Sequence, residues 1–182
     1  YISLTDCVQH RAAPGDEESN KMLSEVDTII GNFMRSGARV GVTADHGMNY
    51  KVNEDGTPKI IFLEDLLAKN FDSKIRVILP ITDPYITHHA ALGSFATVYC
   101  SSSELGLIKE KLINTDGIFK VALKEDACKK YDLPNDRIGD IVVIADKDTV
   151  FGKTMADHDL SKLEGLLRSH GGLSETVVPF IL

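Results

Sequence analysis

Three short segments carry metal-ligating side chains at spacings that could serve one reaction centre. In Thr5-Asp6-Cys7-Val8-Gln9-His10 an aspartate and a histidine stand four residues apart. If the segment is helical, one turn brings both side chains to the same face, where a carboxylate and an imidazole can share a metal ion. That spacing recurs by chance. It gains weight here because it directly follows residues 1–5, which read as a buried strand leading into a site. In Val42-Thr43-Ala44-Asp45-His46-Gly47-Met48 two adjacent ligand-type residues stand at the mouth of an apolar run, and Gly47 lets the backbone turn sharply. A buried Asp beside a His is costly without a partner, and a metal ion supplies one. The plainer alternative is a helix-capping Asp with a hydrogen-bonded His. In Arg168-Ser169-His170-Gly171-Gly172-Leu173-Ser174-Glu175 a histidine followed by two glycines reads as a ligand on a tight loop. A lone histidine is more often structural, so His170 draws its weight from the other two segments.

Together these segments hold three of the six histidines, with Asp6 and Asp45. Mixed Asp and His ligands suit zinc or a similar first-row divalent ion. Five ligands exceed one tetrahedral site, so two ions are implied, and paired ions about 3.5–4 Å apart clamp the attacking and leaving oxygens of a phosphoryl displacement. Such chemistry needs charge stabilisation more than covalent side-chain chemistry. The formal net charge of −7 disfavours nucleic acid and anionic membrane as partners. A site for a small anionic substrate would therefore need its own positive charge, from metal ions or from placed Lys and Arg. His88 and His89 could line an entrance or bind metal, although a structural or surface role is commoner for such a pair. His158 reads as part of a turn.

The elements that must position these residues follow from the rest of the chain. Its 182 residues suffice for one domain with a substantial core, and 43% hydrophobic with 26% charged residues is the balance of a globular protein. No apolar run is long enough to span a bilayer, and no signal peptide is visible. The sequence begins at Tyr1, inside what reads as a core strand, so the N-terminal part of the core is expected to be missing. Cys7, Cys100 and Cys128 are odd in number and form no Cys-x-x-Cys, which points to a reduced, cytoplasmic compartment.

After the strand over 1–5, Pro14 and Gly15 break the chain, and Asp16, Glu17 and Glu18 favour a helix start. Met22, Val26, Ile29 and Phe33 form a helical stripe, with Gly37 as its C-terminal cap. Residues 39–44 read as a second strand. Strand, helix, strand predicts a crossover unit of a mainly parallel central sheet with flanking helices, an α/β fold. Ligands gather at the carboxyl ends of such strands, where Asp6 and Asp45 fall. Residues 50–138 read as an inserted α+β cap. It has strands over 74–79, 95–100 and 118–123, helices over 62–69 and 125–131, and a capping box at Ser101 and Glu104 before another helix. The core comprises 1–49 and 139–182, with further strands over 140–145 and 176–182.

The order of Asp-x-x-x-His, Thr-Ala-Asp-His-Gly-Met and His-Gly-Gly with a following Ser-Glu resembles the alkaline phosphatase superfamily, near its nucleotide pyrophosphatase and phosphodiesterase branch. Within it, the phosphonoacetate hydrolase family is the nearer match. That match is carried by Thr5-Asp6 with Gln9-His10, Ala13-Pro14-Gly15, Ala44-Asp45-His46-Gly47-Met48-Asn49, Leu92-Gly93-Ser94-Phe95, Tyr131-Asp132-Leu133-Pro134 and Leu167-Arg168-Ser169-His170-Gly171-Gly172. The resemblance implies an alkaline phosphatase-like core holding two Zn2+ ions, with Mn2+ or Fe2+ as substitutes. Asp6, His10 and His170 would hold one ion, and Asp45 and His46 would supply half of a second site. It implies that His10 and His170 also face the substrate, a small phosphonate or phosphate ester. The nucleophilic threonine and the remaining aspartate match no position here and are expected upstream. The implied reaction is hydrolysis of phosphonoacetate to acetate and phosphate. A phosphodiesterase or nucleotide pyrophosphatase of the same superfamily, or a catalytically incomplete metal-binding fragment, is the alternative. A homodimer is a further expectation.

Overall fold

The computed structural model describes residues 1–71, 74–80, 92–161, 163 and 165–182. His88 and His89 lie outside the described residues. Residues 1–5 form no strand and are exposed. A strand needs a neighbour to satisfy its backbone groups, and no described residue pairs with this segment. Asp6 then caps the short helix α1 (Cys7–Arg11).

The long helix α2 (Glu17–Arg35) starts where the acidic run favours it. Ala13 N–H donates to Asp16 Oδ2 at 2.7 Å just before its first turn. It ends as expected at Gly37, which adopts φ +89°. Gly37 N–H reaches the Met34 carbonyl and Ala38 N–H the Phe33 carbonyl, the paired bonds that close a helix at a left-handed glycine. The apolar stripe is only partly covered. Met22 and Val26 are half-buried, whereas Ile29 and Phe33 are exposed.

The sheets are mixed. Two antiparallel pairs of two-residue strands frame the candidate ligands. β1 (Val42–Thr43) pairs with β10 (Phe180–Ile181), and β2 (Asn49–Tyr50) pairs with β9 (Arg168–Ser169). A parallel pair joins β3 (Ile60–Phe62) to β8 (Val150–Gly152). The largest sheet is antiparallel throughout, in the order β4 (Arg76–Ile78), β5 (Phe95–Tyr99), β7 (Ile141–Ala145), β6 (Ile118–Leu123).

Helices cover both faces of that sheet, and the alternation along β7 shows how. Ile141, Val143 and Ala145 point toward Leu63 and Leu67 of α3 (Leu63–Ala68) and Ile108 and Leu112 of α4 (Leu105–Ile113). Val142 and Ile144 face Ala127 of α5 (Lys124–Tyr131), with Phe95 and Tyr131 alongside. Two-sided cover explains why five consecutive residues are buried where a one-faced strand would alternate. It also places β7 differently from the sequence reading, which assigned 140–145 to the returning core. The strand sits hydrogen-bonded between β5 and β6 of the 50–138 segment. The expected capping box is replaced by a turn: Glu104 N–H bonds the Ser101 carbonyl and α4 begins after Glu104. Among the described residues no helix is long and apolar enough to cross a membrane.

Candidate metal centre

One helical turn does at α1 what the spacing predicts. His10 N–H bonds the Asp6 carbonyl, and the side chains meet with Asp6 Oδ2 at 3.2 Å from His10 Nε2. The His10 ring is buried, and its Nδ1 lies 3.0 Å from the Arg168 carbonyl oxygen. A carbonyl only accepts, so Nδ1 carries the proton and Nε2 presents its lone pair toward Asp6. Arg168 fixes this helix a second time: its Nε–H donates to the Gln9 carbonyl at 2.7 Å, while its guanidinium lies 4.6 Å from the Tyr50 ring centroid.

The third segment arrives through the β2–β9 pair. His170 follows β9 directly, and its Nε2 lies 3.9 Å from Asp6 Oδ2. Ligand atoms of Asp6, His10 and His170 all fall within 4.8 Å of one another. Two groups bound tetrahedrally at about 2.0–2.1 Å from zinc would stand roughly 3.3 Å apart, so small side-chain adjustments close the set around one ion. Three protein ligands of N2O type leave a fourth position open, as catalytic zinc sites do. The donor set therefore fits the ion that the sequence implies.

The loop behind His170 is built by close approach. Gly171 adopts φ +100°, a conformation open to glycine at little cost. A side chain at Gly172 would place its Cβ 2.9 Å from Glu175 Oε2. Ser94 N–H donates to the His170 carbonyl at 2.8 Å, Ser94 Oγ–H donates to the Thr149 carbonyl, and Ser169 Oγ–H donates to the Leu92 carbonyl. The 92–95 segment is thus the floor on which the histidine loop rests.

Asp45 and His46 stand beside this set. The His46 and His170 rings stack with centroids 3.7 Å apart and planes 11° from parallel. His46 Nδ1–H donates to the Gly47 carbonyl, leaving Nε2 free to coordinate. Asp45 Oδ1 lies 3.8 Å from that Nε2, and its side chain is 92% exposed. The structure therefore brings all five sequence-derived candidates to one locality, three of them as a compact cluster. His158 lies elsewhere in a turn, where its Nε2 accepts from Lys153 N–H and its ring lies near Phe62.

Charge is arranged to favour metal. Burial, then the nearby His46 and His10, lowers the His170 pKa to about 4, against the pull of Asp6 and Glu175. His170 is thus neutral at neutral pH, the form in which imidazole coordinates.

The polar cluster beneath the site has no local sequence signature. Lys51 and Glu175 are both buried and form an ion pair at 3.1 Å. Burial lowers the Lys51 pKa, opposed by Glu175. Burial also works against the Glu175 carboxylate, but hydrogen bonds from Ser174 and Asn49 and the Lys51 ammonium outweigh it and hold its pKa below the usual value. A lone Lys after Met48-Asn49-Tyr50 carries no sequence signal, because only its burial reveals the role.

A sequence model of the type I phosphodiesterase / nucleotide pyrophosphatase family matches residues 1–173. Among solved structures, the chain is 46% identical to phosphonoacetate hydrolase from Sinorhizobium meliloti 1021, in complexes with phosphonoformate and with phosphonoacetate. The similarity has a TM-score of 0.87 and covers 97% of this chain and 43% of that one. Murine ectonucleotide pyrophosphatase / phosphodiesterase 5 is 21% identical with a TM-score of 0.60, over 96% of this chain and 43% of that one. Its human counterpart is 19% identical with a TM-score of 0.62, over 97% and 44%. At that identity these two show the fold alone. The chain spans less than half the length of each of these relatives.

Proposed function

This chain belongs to the type I phosphodiesterase / nucleotide pyrophosphatase family, and from that premise we propose that it is the metal-holding part of a two-zinc hydrolase that cleaves the carbon–phosphorus bond of phosphonoacetate to acetate and phosphate. The observation that carries the proposal is the convergence of Asp6, His10 and His170 within 4.8 Å in a chain 46% identical to a phosphonoacetate hydrolase.

In this reading Asp6, His10 and His170 hold one ion, and Asp45 and His46 contribute to the second. Zinc at such a site supplies Lewis-acid charge stabilisation of phosphoryl oxygens. The chain's own residues do the rest of what is assigned to them. Arg168 holds His10 with Nε2 facing inward, and the 92–95 segment fixes the approach of His170. Burial keeps His170 unprotonated, and His10 and His170 border the space the phosphonate would occupy. The nucleophilic threonine implied by the family resemblance matches no position in this chain and is assigned to the remainder of a longer protein. The donors here, Asp6 and Asp45 with neutral histidines, carry less negative charge than two divalent ions supply, so the loaded site would attract an anion despite the chain's net charge of −7.

The test is phosphate release from phosphonoacetate by the longer, zinc-loaded protein, run beside cleavage of an aryl phosphodiester. Zinc-dependent phosphate release, with slower diester cleavage, supports the proposal. Diester cleavage without phosphonoacetate turnover would replace it with a phosphodiesterase, the reading that the family match over residues 1–173 favours. Neither activity would leave a metal-binding protein without catalysis.

A further inference from the structure

The cluster beneath the candidate ligands has a specific connectivity. Glu175 Oε1 accepts from Lys51 Nζ at 3.1 Å, from Ser174 Oγ at 2.7 Å and from Asn49 Nδ2. Glu175 Oε2 accepts from Gly172 N–H at 2.7 Å. The Glu175 backbone carbonyl accepts from Gly47 N–H at 2.7 Å. One residue is therefore bonded to the glycine after His46, to the strand that follows it, and to the loop after His170. Lys51 extends the tie: its Nζ also donates to the Lys147 carbonyl at 2.7 Å, and its backbone N–H bonds the Leu167 carbonyl at 2.8 Å, just before β9. The stacked His46 and His170 rings lie at the open end of this clamp.

A buried ion pair is a poor way to gain stability, because an apolar pair of similar volume often does as well. What an apolar pair cannot do is accept four hydrogen bonds at fixed directions from two separate loops. Groups hydrogen-bonded directly to metal ligands orient them, and their loss typically weakens metal affinity about 10–100-fold. Glu175 acts one step further out, through the backbone of the two ligand loops and Asn49.

We propose that Glu175, charge-balanced by Lys51, is a positioning residue that locks the His170 loop against the Asp45–His46 loop, so that the metal ligands are preorganised before the ion binds. The inference rests on the metal-centre reading above. It assigns Glu175 no contact with metal or substrate.

The test is zinc titration by calorimetry on the longer protein, with Co2+ absorption as a second readout of ligand geometry and circular dichroism to establish that each variant is folded. Glu175→Gln keeps the shape but loses an acceptor, and its zinc affinity is expected to fall about three- to tenfold, at or below the low end of the loss seen for direct partners of metal ligands, with stoichiometry unchanged and an altered Co2+ spectrum. The double variant Lys51→Met/Glu175→Leu removes both charges without leaving either unpaired. Its thermal midpoint is expected to return toward that of the unaltered protein, while its zinc affinity stays low. Affinity that recovers together with the midpoint would reduce Glu175 to a structural role and overturn the proposal, leaving the metal reading intact. Asn49→Ala keeps the ion pair and removes one donor to Glu175. It is expected to weaken zinc in the same direction, and an unchanged affinity there also counts against the proposal. Absence of zinc uptake by the unaltered longer protein would instead overturn the metal-centre reading, and this inference with it.

Discussion

At the scale of single residues, His170 is where geometry and electrostatics meet. It completes the compact ligand set with Asp6 and His10, and burial beside two other imidazoles depresses its pKa to about 4. Zinc bound per chain is therefore expected to fall by one site in His170→Ala, measured by elemental analysis after dialysis. An unchanged metal content would remove His170 from the ligand set. The same residue has a consequence for the metal-free chain. An unfolded His170 takes up its proton near the ordinary value of 6.5, whereas the folded one does so only near pH 4. Between those values the unfolded state binds more protons, so His170 costs the fold stability that grows as pH falls from about 6.5 to about 4. Above that window the effect vanishes. The urea midpoint of the metal-free chain is expected to fall relative to that of His170→Gln as the pH drops through this window. A pH-independent difference would mean that the ring titrates normally.

At the scale of elements, the ligands owe their placement to very short pairings. β2 and β9 share only two residue pairs, Asn49 with Ser169 and Tyr50 with Arg168, yet they carry the second and third segments to α1. Such a ladder is too short to stand alone, and the polar contacts around it supply what strand length does not. The return to the large sheet depends on a similar close approach. A Cβ at Gly139 would lie 2.7 Å from the Val98 carbonyl oxygen, which is backbone of β5 and cannot swing away. Gly139→Ala is expected to destabilise the chain by about 1–3 kcal/mol through overpacking. Chemical denaturation checks this, and a loss below a few tenths of a kcal/mol would mean that the junction relaxes. Because this glycine is far in sequence from Asp6 and His170, zinc stoichiometry of the folded variant is expected to be retained.

At the scale of the whole molecule, the candidate metal ligands come from positions 6, 10 and 170 of 182 residues. An ion bound there ties α1, near one end of the chain, to the loop after β9, near the other. Ligand sets of this reach exist only in the folded state, so on the proposed reading zinc would bind the native chain in preference to the unfolded one. At free zinc of 100 times Kd the stabilisation is about 2.7 kcal/mol. For a chain of this size that corresponds to a rise in Tm of roughly 5–11 °C. Thermal melts with zinc and with a chelator are expected to show this separation in the unaltered chain and to lose it in His10→Ala. Equal melting with and without zinc would mean that the ligands do not close on an ion.

The sequence by itself determined which residues are chemically competent and much of the local structure. Asp6 and His10 reach each other across one helical turn, a distance that spacing alone sets. The cap of α2 at Gly37 and the buried run of β7 were legible for the same reason, because each depends on neighbours within a few residues. The α/β class followed from the alternation of such local signals. The family followed from the order of the three ligand segments.

Only the tertiary structure decided the rest. Residues 1–5 have the composition of a strand but no partner among the described residues, and a strand is a property of two segments rather than one. The 140–145 run was visible as a buried strand, but its place between β5 and β6 was not, since hydrophobicity says that a segment is covered and not by what. The clearest case is Lys51 with Glu175. In sequence they are an ordinary lysine and an ordinary glutamate 124 positions apart. They become one buried unit only because the β2–β9 pairing closes over them, and long-range pairing of that kind is set by the packing of the whole chain rather than by any local pattern.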